Sequence, residues 1–266
     1  MDASAEPLHV LQITDPHLME DPEGLLLGIN TRQTLDAVLA HVRSHYGQPD
    51  LVLATGDISQ DGSEAAYQHF RERTSFFEGP VFWFAGNHDA VPAMKRAIGG
   101  TRSAQRRYRG HGWQLIFLDS SVPEQVHGRL GEGELAYLEA CLCEHPEDHA
   151  LICLHHHPVQ IGAEWMNAIG LQDHEAFFEV LARHPQVRGL IWGHIHQQLD
   201  QEDSGRRLLA SPSTCVQFLP ESESFAVDTA PPGYRWLMLY PDGRIHTGVE
   251  RIADANYGLE VDSVGY

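Results

Sequence analysis

The sequence predicts an α/β sandwich, two β-sheets packed face to face with helices on the outside. Three observations carry this expectation. Short apolar runs alternate with longer stretches whose apolar residues recur at helical spacing. The alternation occurs twice, once in each half of the chain. Beyond His196 the pattern changes to hairpin-like segments.

Residues 10–13 read as a first strand, and Thr31 is the expected cap of a helix carrying Leu35, Val38, Leu39 and Val42. Residues 51–54 are a second strand, and Ser63 starts a helix with Tyr67 and Phe70 on one side. Residues 81–84 are a third strand, apolar throughout and so expected to be covered on both faces. The second half repeats this. Strands are expected at 115–118, 151–154 and 189–192, with helices at 132–144 (Leu135, Leu138, Leu142) and 175–184 (Phe178, Leu181) between them. Segments 207–210, 234–240 and 243–249 follow, the last two joined by the turn Pro241-Asp242-Gly243. Residues 220–232, acidic and containing Pro231-Pro232, are the loosest stretch: a long loop over the site or an oligomer contact. With no Gly-, Ser- or Pro-rich linker and no repeat, one domain is expected over 1–266, its core at about 8–251 and a tail at about 252–266.

The 266 residues are 42% apolar, enough for a sizeable core. Eighteen Lys+Arg against 37 Asp+Glu give a net charge of −19, which repels a nucleic-acid polymer but not a small phosphate ester met through bound cations. The first seven residues are short and acidic and resemble neither a secretory signal nor a transit peptide. No apolar stretch has the length to span a bilayer, so a cytoplasmic protein without a membrane partner is expected. Cys141, Cys143, Cys153 and Cys215 have neither disulfide-framework nor zinc-knuckle spacing and are expected as buried free thiols.

Five clusters carry chemistry: Asp15-Pro16-His17, Gly56-Asp57, Gly86-Asn87-His88-Asp89, His155-His156-His157 and Gly193-His194-Ile195-His196. Each taken alone has a plain structural reading, as a turn, a strand end or a surface loop. Their placement argues otherwise, because every one follows the carboxyl end of an expected strand, the edge at which α/β sheets bind ligands. Asp-x-His and His-x-His set two side chains on the same side of an extended segment. Gly56, Gly86 and Gly193 allow close backbone approach. The seven nitrogen and oxygen ligands so assembled suffice for two metal ions sharing a carboxylate, and carboxylate with imidazole suits Fe, Mn, Zn or Co. His9, His41, His45, His69, His145, His149 and His184 lack such partners and read as ordinary surface or core residues.

The five clusters, in this order between residues 15 and 196, resemble the series of the calcineurin-like metallophosphoesterases: Asp-x-His, Gly-Asp, Gly-Asn-His-Asp/Glu, His, Gly-His-x-His. A narrower resemblance, to bacterial class III 3′,5′-cyclic-nucleotide phosphodiesterases that hydrolyse cyclic AMP, lies in segments 11–15, 54–57, 66–70, 154–158 and 212–218. The last lies beyond the metal motifs and so separates this subgroup from the superfamily. The resemblance implies a four-layer α/β/β/α sandwich with two mixed sheets. It implies that Asp15, His17 and His196 hold one metal, that Asn87, His155 and His194 hold the other, and that Asp57 bridges them. His156 stands as the alternative to His155. His88 is implied to act on the substrate phosphate, and Asp89 to orient His88 or shape its loop. Substrate is implied to rest against His17, Asp57, Asn87, His88, His155 and His196.

The implied activity is hydrolysis of 3′,5′-cyclic AMP to 5′-AMP by hydroxide from a two-metal centre, iron with a second iron, manganese or zinc. The tail from Arg207 onward offers a surface for a homodimer. One alternative is a related diesterase acting on glycerophosphodiesters or 2′,3′-cyclic nucleotides. Another is a non-catalytic binding protein on the same fold, but such a protein is expected to lack a ligand and none is missing. A serine hydrolase is excluded by the lack of a Gly-x-Ser-x-Gly elbow, and a P-loop NTPase by the lack of its glycine-lysine loop.

Overall fold

A computed structural model of the chain describes residues 6–253, 257–263 and 265; residues 1–5 and, in the expected tail, 254–256, 264 and 266 lie outside it. The first half contains strands β1 (Leu8–Ile13), β2 (Leu25–Leu26) and β3 (Ile29–Asn30), helix α1 (Thr31–His41), β4 (Leu51–Ala54), α2 (Glu64–Thr74), β5 (Val81–Trp83), α3 (Val91–Ile98) and β6 (Arg107–Gly110). It is followed by β7 (Trp113–Phe117), α4 (Gly131–Glu144), β8 (His149–Cys153), the short α5 (Glu164–Asn167), α6 (His174–Ala182) and β9 (Val187–Trp192). Strands β10 (Leu199–Asp203), β11 (Arg206–Ala210), β12 (Gln217–Phe218), β13 (Val227–Asp228), β14 (Gly233–Leu239) and β15 (Ile245–Arg251) complete the order.

The two main sheets are mixed. One runs β15-β14-β1-β4-β5, with β1, β4 and β5 parallel, β14 antiparallel to β1 and β15 antiparallel to β14. The other runs β10-β11-β9-β8-β7-β6, parallel at its centre with an antiparallel strand at each edge. Alternation along each strand divides the core into three layers. Val10, Leu53 and Phe82 of the first sheet meet Leu115, Leu151 and Ile191 of the second between the sheets. Leu11, Ile13 and Val52 face outward onto α1, α2 and α3, while Ile116, Ile152 and Leu190 face outward onto α4 and α6. The result is the expected four-layer sandwich.

Local chemistry explains where elements begin. The Ser63 hydroxyl accepts from Ala66 N and caps α2 as expected, but α1 is capped one residue early. The Asn30 side chain accepts from Arg32 N and Gln33 N, and Thr31 is the first helical residue, its hydroxyl turned to the His17 carbonyl. The turn at Pro241-Asp242-Gly243 closes the β14–β15 hairpin. Residues 219–226 link β12 to β13 and pack Phe225 against Phe218 (ring centroids 5.5 Å apart), beside the candidate site. Three thiols are buried as expected, but Cys143 is exposed on the outer side of α4.

Candidate metal centre

Every one of the five clusters lies past the carboxyl end of its strand: β1, β4 and β5 in the first sheet, β8 and β9 in the second. The two sheets present these ends along one edge, and the side chains of the clusters meet there. The reason Asp15 and His17 converge differs from the expectation. They do not lie on an extended segment. Asp15, His17, Asp57, His194 and His196 all have left-handed backbones, with φ of 51°, 45°, 48°, 64° and 49°. Residues other than glycine rarely adopt this conformation, and each instance costs about 1–3 kcal/mol unless its surroundings enforce it. Here Asp15 N donates to the Gly56 carbonyl (3.1 Å), His17 N to the Asp57 carbonyl (2.9 Å) and His194 N to Asp15 Oδ1 (3.0 Å), so the turns brace one another.

The imidazoles are oriented by bonds on their outer sides. His155 Nδ1 donates to the Thr55 carbonyl (2.8 Å), His196 Nδ1 to the Val216 carbonyl (2.9 Å) and His17 Nδ1 to Gln60 Oε1 (2.6 Å). Each of these three rings therefore turns a lone pair on Nε2 inward. His194 is reversed: its Nε2 donates to the Ile169 carbonyl (3.1 Å), so Nδ1 carries the lone pair.

Acceptors consequently face acceptors. His17 Nε2 and His196 Nε2 lie 3.1 Å apart, with Asp15 Oδ1 3.5 Å from the latter. His155 Nε2 lies 3.2 Å from Asn87 Oδ1 and 3.3 Å from Asp57 Oδ2, and that same carboxylate oxygen is 3.7 Å from His17 Nε2. Asp15 and Asp57 are fully buried, and among the described residues no lysine or arginine forms an ion pair with either. Converging lone pairs around buried carboxylates need a cation. The donor set thus fits two metal ions, with Asp57 between the groups Asp15/His17/His196 and Asn87/His155/His194.

Burial pushes the His17 imidazole down to about 3 and that of His194 well below its usual value, which keeps both neutral as ligands must be. Burial also acts to lower His155, but Asp57 against its Nε2 outweighs this and lifts it to about 9, so a proton and a metal compete for that nitrogen. Burial would raise Asp57, yet His155 beside it holds the carboxyl well below the usual range.

The neighbouring residues sort by what they touch. His156 is spent on the protein: Nε2 donates to the Val126 carbonyl (3.1 Å) and Nδ1 accepts from the Ser120 hydroxyl (2.8 Å). His157 stacks on His194 with ring centroids 5.6 Å apart. His88 is only half-buried, its ring edge-on to His17 at 5.0 Å and its backbone N–H given to Asp57 Oδ1 (2.9 Å). Asp89 shapes the loop, accepting from the amides of Ile58, Ser59 and Gly86. Gly56 combines φ of +98° with a position where a Cβ would stand 2.3 Å from His155 Nδ1, so this turn admits only glycine.

Several contributors escaped the sequence reading: Gln60 on His17, Gln12, Thr14 and Thr55 behind Asp15, and Ser213 on the Asp15 carbonyl (2.7 Å). One signal was present. Gln12 sits inside an apolar strand, and a buried amide there must have partners.

The family model described as calcineurin-like phosphoesterase matches residues 8–198. The chain is 46% identical over 261 residues to the 3′,5′-cyclic adenosine monophosphate phosphodiesterase CpdA of Escherichia coli, covering 97% of this chain and 95% of the relative. It is 43% identical to the CpdA of Pseudomonas aeruginosa, covering 97% and 94%, and 35% identical to a 3′,5′-cyclic-nucleotide phosphodiesterase of Nostoc, covering 96% of each. Among solved structures, a dimetal phosphatase of Danio rerio superposes with a TM-score of 0.65 at 18% identity, over 93% of this chain and 100% of that one, which speaks for the fold. By this match and these relatives, the chain belongs to the calcineurin-like phosphoesterase family.

Proposed function

We propose that this protein hydrolyses 3′,5′-cyclic AMP to 5′-AMP in a metal-dependent reaction, and so lowers cyclic AMP in the cytoplasm. The observation that carries the chemistry is the placement of Asp57 Oδ2 between His155 Nε2 (3.3 Å) and His17 Nε2 (3.7 Å), one buried carboxylate serving two nitrogen-rich groups. The substrate is argued from relatives named as cyclic AMP phosphodiesterases that align with nearly the whole chain.

In this reading Asp15, His17 and His196 would hold one ion, Asn87, His155 and His194 the other, and Asp57 would serve both. When bound, such a pair acts as Lewis acid on the phosphoryl oxygens and supplies a nucleophile at neutral pH. Iron, with iron, manganese or zinc beside it, is the proposed pair. The chain's own residues do the rest. The outward hydrogen bonds of His17, His155, His194 and His196 fix their rings before substrate arrives. His17, Asp57, Asn87, His155 and His196 form the floor on which the phosphate rests. His88, half-buried at the rim, contacts the phosphate and gives a proton to the departing 3′ oxygen.

The −19 charge disfavours a nucleic-acid polymer as substrate, and among the described residues no helix is long and apolar enough to cross a membrane. The proposal includes a single domain, and a homodimer through the segment from Arg207 onward, which light scattering decides.

The test is turnover by chelator-stripped protein rebuilt with Fe, Mn, Zn or Mg one at a time. Substrates are cyclic AMP, cyclic GMP, 2′,3′-cyclic nucleotides and glycerophosphodiesters. The expected outcome is metal-dependent hydrolysis with cyclic AMP preferred. Faster turnover of another diester replaces the substrate assignment, and metal-independent turnover sinks the mechanism.

A further inference from the structure

Against Asp15 lies a chain of buried polar side chains that the ligand set does not use. The Ser211 hydroxyl donates to Gln12 Oε1, Gln12 Nε2 donates to Thr55 Oγ1 (2.8 Å), Thr55 Oγ1 to Thr14 Oγ1 (2.5 Å), and Thr14 Oγ1 to Asp15 Oδ2 (2.6 Å). All four residues are at most 1% exposed.

Its direction is forced. Gln12 Nε2 also donates to the Trp192 carbonyl (2.9 Å), which can only accept. The amide therefore cannot be turned over, and Oε1 must take the Ser211 proton. Each threonine has one proton to give and passes it one step toward Asp15. At the end of the chain, Oδ2 receives the Thr14 hydroxyl at 2.6 Å, while Oδ1 stands 3.5 Å from His196 Nε2 and faces the other ligands.

The chain also joins the sheets. Gln12 lies in β1, with Thr14 just past its end, and Thr55 follows β4 in the same sheet; Trp192 ends β9 and Ser211 follows β11 in the other. The segment after β11 holds the first ligand group at further points: Ser213 Oγ donates to the Asp15 carbonyl, the Val216 carbonyl accepts from His196 Nδ1, and Phe218 stacks on the His196 ring at 4.2 Å. The second group touches this network only through backbone atoms, His155 Nδ1 donating to the Thr55 carbonyl and His194 N to Asp15, while His194 Nε2 donates to the Ile169 carbonyl.

We propose that Thr14 is a positioning residue for the first metal, through which the Ser211–Gln12–Thr55–Thr14 chain aims one oxygen of Asp15 at the ion and sets the affinity of that site. This rests on the ligand assignment above. Thr14→Val keeps the shape of the side chain and removes the donor, whereas Thr14→Ser keeps the donor.

The test titrates chelator-stripped full-length protein with Mn²⁺ against a chromophoric chelator. In Thr14→Val, one of two binding events is expected to weaken by about 10–100-fold, the usual effect of losing a ligand's hydrogen-bond partner. The other event is expected to stay unchanged, and Thr14→Ser to restore the first. In Asn87→Ala, where only the first group is intact, adding Thr14→Val is expected to weaken the remaining event. Ser211→Ala, at the far end of the chain, is expected to shift the same event less, and serves if Thr14→Val does not fold. Unchanged affinity for both ions, an equal loss at both sites, or failure of Thr14→Ser to rescue overturns the proposal. Wild-type protein that binds two Mn²⁺ but leaves cyclic AMP intact sinks the functional reading and not this one. Wild-type protein that binds fewer than two sinks the ligand assignment and this proposal with it.

Discussion

His88 is the site histidine whose ring is not enclosed, and its position at the rim separates it from the buried ligands. Its backbone N–H bonds Asp57 Oδ1, which holds the loop whatever the side chain, so truncating the ring leaves the ligand groups standing. His88→Ala is therefore expected to keep both metals while turnover falls by about 10²–10⁴-fold, the span of a lost general acid. Metal analysis beside turnover checks this, and loss of metal in step with activity would mean that His88 is a ligand. At this scale the sequence was legible in residue type and order, but not in backbone hand or tautomer. Nothing in Asp-x-His or His-x-His announces φ values near 50°, because contacts distant in the chain impose them, such as His194 N on Asp15. The partners of His156, the Val126 carbonyl and the Ser120 hydroxyl, are likewise contributed from distant parts of the chain.

Elements whose patterns were strong were read correctly to within a few residues, and those missed were short or polar. Strand β10, Leu-Asp-Gln-Glu-Asp, is largely exposed at a sheet edge, and β6 begins and continues with arginines at the opposite edge, so neither carries an apolar run. Helix α3 was legible in principle, from Pro92 in its first turn and Met94, Ala97 and Ile98 at helical spacing. Arg235 was the larger omission. It lies in β14 opposite Gln12, is buried, and reaches across to the other sheet. Its Nη2 donates to the carbonyls of Leu199 (2.9 Å) and Ala210 (2.8 Å), its Nη1 to Thr247 Oγ1 (3.1 Å). Burial pushes its pKa down to about 10, still far above neutrality, so the cation persists. Arg235→Leu leaves those two carbonyls without this donor, at about 1–3 kcal/mol for each buried group left unsatisfied. Denaturant unfolding is expected to show a loss of about 2–6 kcal/mol on the same basis. A midpoint equal to wild type would show that the carbonyls find other donors.

At the scale of the whole molecule, the two proposed ligand groups are not each the property of one sheet. Asp15 and His17 follow β1 and Asn87 follows β5, whereas His155, His194 and His196 follow β8 and β9. Each group therefore spans the gap between the sheets, and an ion in either would tie the halves of the sandwich together. Folding without metal must bury Asp15 and Asp57 in a chain already carrying −19, with imidazoles and no lysine or arginine beside them among the described residues. An ion that binds the folded state and not the unfolded one stabilises by about 2.7 kcal/mol at one hundred times its dissociation constant. Two such sites give about 5 kcal/mol, and about 2–4 °C of melting temperature for each kcal/mol in a domain of nearly this size places the shift on the order of 10–20 °C. Because both sheets contribute to both groups, the shift should appear as one displaced cooperative transition, not as an early melting of one half. Calorimetry of the full chain with Mn²⁺ and with excess chelator, at matched ionic strength, reads both features. Equal melting temperatures would mean that the folded protein gains nothing from the ions. A split transition only in the chelated sample would mean that the metal centre, more than the packing of Leu53, Phe82, Leu151 and Ile191 between the sheets, joins the two halves.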